Sequence, residues 1–158
     1  MAQVLIVYYS RSGNTEKMAK LIAQAIEQEA ITVAIKRIDD AKVGDLLEAD
    51  AIIFGSPVYY GGMAAQLKKL LDESVAHHGA LDGKIGGAFS SSANIGGGNE
   101  TTILDILNAF LIHGMIIQGD PMGDHYGPVA INAPDKRAEK QCGRFGKRIA
   151  KLIKQLHP

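Results

Sequence analysis

Apolar residues run along this chain in two alternating patterns. Short blocks apolar on both faces, Val4–Tyr8 (VLIVY), Asp50–Gly55 (DAIIFG) and Ile85–Ser90, read as buried parallel strands. Thr32–Ile38 and the short Met115–Gln118 complete a set of five. Between them the period changes to three and four. Met18, Ala19, Ile22, Ala25 and Ile26 predict a helix that Thr15 can cap and that runs to about Glu29. Ala64–Asp72 and Glu100–Ile112 predict two more, with a helical turn around Val43–Leu47. The last helix spans Lys136–Leu156, where Ala138, Cys142, Phe145, Ile149, Leu152, Ile153 and Leu156 share one face.

Strands and helices therefore alternate about five times, which predicts right-handed crossovers, a parallel sheet and helices on both of its faces. With 158 residues, 46% of them apolar, the expectation is a single domain over residues 1–158. The opening MAQVLIVYYSRSGNT reads as a first strand and not as a signal peptide, and no stretch approaches a membrane span. One cysteine, Cys142, allows no internal disulfide, which fits a reducing cytoplasm; on the apolar face of its helix it reads as a small buried thiol. His77-His78 have no carboxylate or cysteine at metal-ligand spacing, so no metal site is expected.

In a sheet of this kind ligands settle outside the carboxyl ends of the strands, so the loops after strands one, three and four carry the chemistry. The first, Ser10-Arg11-Ser12-Gly13-Asn14-Thr15, offers three hydroxyls, an amide and a helix amino terminus. It reads either as a phosphate cradle or as an ordinary capped turn. The second, Ser56-Pro57-Val58-Tyr59-Tyr60-Gly61-Gly62-Met63, sets aromatic rings beside glycines, suited to stacking a flat ring system; alternatively one tyrosine is core and the other surface. The third, Ser90-Ser91-Ser92-Ala93-Asn94-Ile95-Gly96-Gly97-Gly98-Asn99-Glu100, is small, polar and glycine-rich ahead of a helix. Its amides could meet a ligand's carbonyl edge, or the loop could simply be flexible. Three such loops at the three expected positions reinforce one another. A Walker loop and a dinucleotide fingerprint are both missing. Receiver-type acidic residues are absent after strands one and three, and no cysteine nucleophile stands in the first loop.

At these residues the chain resembles the flavodoxin-like superfamily, and more closely its tryptophan-repressor-binding-protein-like NAD(P)H:quinone oxidoreductases. SRSGNTEKMA is similar to that family's FMN-phosphate loop, GSPVYYGGMAAQLKKLLD to its flavin segment and SSSANIGGGNETTI to its Gly-rich loop. LIHGM and Tyr126-Gly127 continue the likeness. The resemblance implies a flavodoxin-like three-layer sandwich with strand order 2-1-3-4-5 and an FMN cofactor. Ser10, Arg11, Ser12, Gly13, Asn14 and Thr15 would hold the phosphate. Pro57, Val58, Tyr59, Tyr60 and Gly61 would line the ring, and Ser91, Ser92, Ala93, Asn94, Ile95, Gly96 and Gly97 would close its pyrimidine end. His113 and Tyr126 would stand where the second substrate enters, making them the expected catalytic residues. Tyr59 replaces an arginine of those enzymes, and the chain is shorter than they are.

The sequence holds 17 basic and 17 acidic residues. A neutral surface gives little long-range steering toward a protein partner, which favours an oxidoreductase passing electrons from NAD(P)H to a quinone-like acceptor. The alternative is a flavodoxin-type one-electron carrier served by a separate reductase. Eight basic residues between Lys136 and Lys154 read as the solvated side of an amphipathic helix or as a docking face for a protein redox partner. Nothing interleaves aromatic with basic residues as nucleic-acid binding would need. The stretch Ile103–Ile112 is apolar on more than one side, which points to a homo-oligomeric contact.

Overall fold

The computed structural model describes residues 3–157; the expected domain span 1–158 also includes Met1, Ala2 and Pro158, which lie outside the described residues. The strands are β1 (Gln3–Tyr8), β2 (Thr32–Arg37), β3 (Ala51–Pro57), β4 (Ile85–Ser92), β5 (Ile116–Ile117) and β6 (Val129–Ile131). The helices are α1 (Asn14–Glu27), α2 (Val43–Glu48), α3 (Ala65–Glu73), α4 (Asn99–Ile112) and α5 (Lys136–Leu156). Short 3-10 turns occupy Ile38–Asp40 and Ser74–His77.

All pairings between strands are parallel, in the order β2-β1-β3-β4-β5, as the resemblance implied. The sixth strand was not anticipated. It pairs with Ser90–Ser92 at the end of β4, whereas β5 pairs with Ile85 and Gly86 at its start. The outer position beside β4 is thus shared by two short strands, separated by a loop over residues 118–128.

Alternation along each strand divides the interior in two. Val4, Ile6, Ile53, Ile85 and Phe89 face α1 and α5, where Met18, Ile22, Ile26, Ile149 and Ile153 cover them. Leu5, Val7, Ile52, Phe54 and Ala88 face α3 and α4, against Leu67, Leu71, Ile103, Ile106 and Phe110. The thiol of Cys142 lies in the first of these cores, and burial pushes its pKa up to about 12.

The loop over 118–128 is held down by ion pairs to α5. Arg144 grips Asp120 with two hydrogen bonds of 2.6 and 2.8 Å, and Arg148 lies 3.6 Å from the same carboxylate. Arg137 donates to Asp124, which also accepts from the Val129 amide at 2.9 Å. The hydrogen bonds from Arg144 hold the Asp120 carboxyl at a pKa of about 2, against an ordinary 3.8. Folded Asp120 therefore stays ionised to lower pH than in the unfolded chain. The stabilisation is complete above about pH 4 and is lost as the pH falls through 3.8 toward 2. Discounted for the partial exposure of Arg144, it is about 1–2 kcal/mol. Asp120→Asn should lower the unfolding free energy measured by urea titration at pH 7 by that amount, and the difference from the parent should disappear near pH 2.

Candidate functional site

The site grows from the carboxyl ends of β1, β3 and β4. After β1 the chain turns through Ser10, whose Oγ accepts from the amides of Gly13 (3.0 Å) and Glu16 (3.4 Å). Gly13, at φ 93°, is the residue from which α1 starts. That left-handed conformation suits glycine, and glycine brings no side chain to fill the helix end. The first-turn amides of Asn14 and Thr15 have no carbonyl one turn back within the helix, and the positive end of the helix dipole lies with them. The helix α4 starts in the same way, from Gly98 at φ 103°. By contrast α5 is closed by its own carboxylate, Asp135, which accepts from the Ala138 amide at 2.8 Å. The two helix ends that meet these loops are open to an anion; the third is filled.

The loop after β3 is a tight hairpin. Tyr59 and Gly62 exchange backbone hydrogen bonds of 3.0 and 3.1 Å, and the two residues between them have positive φ, Tyr60 at 49° and Gly61 at 78°. This is the geometry of a type I′ turn, unusual for a tyrosine, whose ring is left fully exposed. The turn is fastened to α4: Thr102 Oγ1 donates to the Gly62 carbonyl (3.2 Å), and Asp105 accepts from the Met63 amide (3.0 Å).

The three loops touch. Thr15 and Ser91 share a hydrogen bond between their buried hydroxyls, 2.9 Å apart, joining the first loop to the third. The Val58 amide donates to the Ser91 carbonyl at 2.9 Å, joining the second to the third. A Cβ on Gly98 would lie 3.2 Å from Gly61 Cα and 3.1 Å from Val58 Cγ1, so a side chain there would press the second loop away. Tyr59 meets Tyr9 edge-to-face with ring centroids 5.8 Å apart, and the Arg37 guanidinium lies 5.6 Å from the Tyr9 centroid. Burial, and then the hydrogen bond with Tyr9, raise the pKa of the Tyr59 phenol. Beside these rings opens a groove of about 1050 Å³, bounded by Tyr9, Arg11, Tyr59 and Met63 and, on α3, by Gln66 and Lys69.

Of the expected site residues, Ser10 to Thr15, Pro57 to Gly61 and Ser91 to Gly97 all stand at this end of the sheet. Ser10, Thr15, Ser91 and Ser92 are buried, whereas Ala93, Asn94, Ile95 and Gly96 form an exposed rim. Tyr59 is neither core nor free surface, since it leans on Tyr9. Tyr126 is half exposed and borders a small cleft with Glu100, at the start of α4.

His113 is elsewhere. Asn99 Nδ2 donates to the Ser90 carbonyl at the carboxyl end of β4, and α4 then rises about 21 Å over its 14 residues. At its other end the Gly114 carbonyl accepts from the Gly83 amide, just before β4 begins. His113 therefore lies at the amino edge of the sheet. There its Nε2 is 2.8 Å from Ser74 Oγ, whose proton goes to the Leu71 carbonyl, so Nε2 is the donor and Nδ1 is left bare and buried. Burial, and then the neighbouring His78, lower its pKa. The expectation that His113 meets a substrate at the loops is corrected by the length of α4.

Tyr9 and Arg37 lie outside every segment that the sequence singles out for the site, whereas Gly98 and Thr102 fall inside the Gly-rich segment SSSANIGGGNETTI without a role of their own there. Only Gly98, the last glycine before a helix, carried a local signal.

A sheet in the order 2-1-3-4-5 with its carboxyl-end loops joined into one cradle defines a flavodoxin-like flavoprotein. The chain belongs to the flavodoxin family: residues 5–98 match the model described as "Flavodoxin domain". A protein named flavodoxin from Aquifex aeolicus is 38% identical over 162 residues, covering 97% of this chain and 88% of its own length. An "NAD(P)H dehydrogenase (quinone)" from Archaeoglobus fulgidus is 30% identical over 190 residues, covering 99% of this chain and 100% of its own. A solved flavodoxin, described as a WrbA-like protein from Agrobacterium tumefaciens, superposes with a TM-score of 0.82 at 27% identity, covering 98% of this chain and 99% of that one. The resemblance drawn from the loops is borne out, and the relatives' names support an electron-transfer role.

Because His113 lies a helix length from the cradle, His113→Ala should leave flavin affinity within twofold while lowering thermal stability. A flavin titration alongside a melting curve checks both.

Proposed function

We propose that this chain, acting as one domain, holds FMN in the three-loop cradle and serves as an electron carrier. The observation that carries the proposal is the direct joining of the loops, through Thr15 to Ser91 and Val58 to Ser91, around two helix ends that start from glycine and carry no cap side chain of their own. The cradle fits the group: a Cβ on Gly98 would press on Val58 and Gly61, a Cβ on Gly13 would stand in the open space at the start of α1, and the donors are amides and hydroxyls suited to a phosphate and a carbonyl-rich ring edge. The amides of Asn14 and Thr15, with the hydroxyls of Ser10, Ser12 and Thr15, would hold the phosphate. The Val58–Gly61 turn and the Ser91–Gly97 loop would flank the ring, with Tyr59 held edge-on by Tyr9. When bound, FMN supplies reversible one- and two-electron redox chemistry. The chain's own part is to hold the group, fix its orientation and limit water at its buried edge.

Two observations move this reading from enzyme toward carrier. The histidine expected to serve a second substrate is at the opposite edge of the sheet. The 190 aligned positions of the quinone dehydrogenase exceed the 158 residues of this chain, so that enzyme has segments without counterparts here.

A second reading, an oxidoreductase passing electrons from NAD(P)H to a quinone-like acceptor, is favoured by the groove of about 1050 Å³ beside Tyr9 and Tyr59. Arg11 on its wall is the cation that would meet an anionic dinucleotide, since Lys68 and Lys69 on the same wall pair with Asp72 and Glu73. A contact between copies of the chain would use the exposed Val75 and Ile112 at the far end of the α3–α4 face. Among the described residues no helix is long and apolar enough to cross a membrane; a cytoplasmic setting is part of the proposal.

The deciding experiment is an anaerobic visible spectrum of the FMN-loaded protein after addition of NADH or NADPH, with free FMN as control. The carrier reading expects flavin that stays oxidised with either nucleotide and bleaches with a protein reductant. Bleaching by a nucleotide well beyond the control, with colour restored by a quinone, would establish the reductase instead.

A further inference from the structure

Charge neutrality conceals a divided molecule. Eight of the 17 basic residues and one of the 17 acidic residues lie on α5. That helix is therefore at +7, and the remaining 9 basic and 16 acidic residues leave the rest of the chain at −7. The basic residues of α5 have two different fates. Its three arginines are taken up within the fold, Arg137 by Asp124 and Arg144 and Arg148 by Asp120, and Lys154 pairs with Glu29. The other four, Lys136, Lys140, Lys147 and Lys151, are exposed and form no ion pair among the described residues.

Their spacings of four, seven and four place them in one stripe along about 22 Å of helix. In the middle of that stripe, between Lys140 and Lys147, stands Gly143. Glycine inside a helix is unfavourable relative to alanine, and close packing accounts for its neighbour Gly146, where a Cβ would lie 2.8 Å from Ala25 Cβ. Nothing lies within 4 Å of a Cβ placed on Gly143. The fold gives no packing reason for this glycine. What it leaves is a notch in a row of cations, where another chain can approach the helix backbone closely.

We propose that the exposed Lys136–Lys151 face of α5, centred on Gly143, is a docking surface for an acidic protein partner. Lysines, as mobile point charges, suit the small and transient contacts of redox encounters, and the −7 of the remaining chain repels an acidic partner from the other faces. The amino end of α5 adjoins the first helix: Ala133 and Pro134, which lead into α5, and Glu139 in its first turn share a cleft of about 390 Å³ with Lys17 and Lys20 of α1, the helix that follows the phosphate loop. An anionic membrane is a poorer match, since the only large apolar residue exposed on α5 is Leu156, at its last turn. Nucleic acid is poorer still, because the arginine forks are occupied and no aromatic ring stands on the stripe. The inference rests on the electron-transfer reading only for the kind of partner.

The test titrates the isotope-labelled, FMN-loaded protein with an oxidised acidic [2Fe–2S] ferredoxin at about 30 mM and 300 mM salt, following backbone amide shifts. Vesicles of phosphatidylcholine with phosphatidylserine, a duplex DNA and the protein alone run in parallel. The expected result is shifts confined to α5 and the start of α1, lost at high salt. Lys140→Glu and Lys147→Glu should each weaken binding about fivefold, and Lys42→Glu, away from the stripe, by less than twofold. Gly143→Ala should raise the melting temperature by about 2–4 °C and still weaken binding. Binding insensitive to the two reversals, shifts on another face, tighter binding to vesicles or DNA, or shifts explained by self-association would each overturn the proposal. The amide readout needs no electron transfer, so failure to retain FMN would count against the cradle and leave the docking result standing on its own.

Discussion

At the centre of the molecule is a strand that almost lacks side chains. All eight residues of β4 are buried, and six of them are glycine, alanine or serine. Large rings occupy the space this leaves. A Cβ on Gly87 would lie 2.6 Å from Phe145 of α5, and one on Gly86 would lie 2.9 Å from Phe110 of α4 and 2.7 Å from Ile117. Within the sheet, Phe89 of β4 fills the space over Gly55 of β3, where a Cβ would be only 2.0 Å away. Close approach of both helix layers to one narrow strand brings the amino terminus of α4 onto the end of β4, beside the loops from β1 and β3. The cradle follows from that approach, because Ser91 can reach Thr15 on one side and Val58 on the other only if the layers lie this near.

The same geometry separates two ends of one helix. α4 presents an open, glycine-led amino terminus to the cradle and carries His113 to the far edge, where Ser74 engages it. Dipole and free amides belong to one end, and the buried imidazole to the other. Electrostatics is likewise distributed by element and not by total. The arginines of α5 tie down the loop over 118–128, its four free lysines face outward, and carboxylates predominate elsewhere.

Much of this was legible beforehand. Fully apolar blocks and runs with helical spacing placed β1, β3, β4 and α1 to α5 within about two residues, and α5 at its observed bounds, because burial on both faces or on one stripe leaves a plain periodic trace. β6 was missed: three residues between Pro128 and Asn132 are too short for any period, and the strand exists only because Ser90–Ser92 offer it a partner. The phosphate loop could be recognised because its chemistry is contiguous in sequence. Tyr9, Arg37 and Thr102 could not, since they reach the cradle only through tertiary packing. His113 misled for the opposite reason. A familiar local pattern does not state how far a 14-residue helix carries its last residue. The charge total misled too, since a sum of zero is compatible with any partition.

If the open amino terminus of α1 makes this loop a phosphate site, two flavins that differ only in the phosphate must bind very differently. Fluorescence titration of the unloaded protein with FMN and with riboflavin measures the difference. FMN should bind at least about a hundredfold tighter, the value of two charge-assisted hydrogen bonds to the loop. Equal affinities for the two flavins would contradict it.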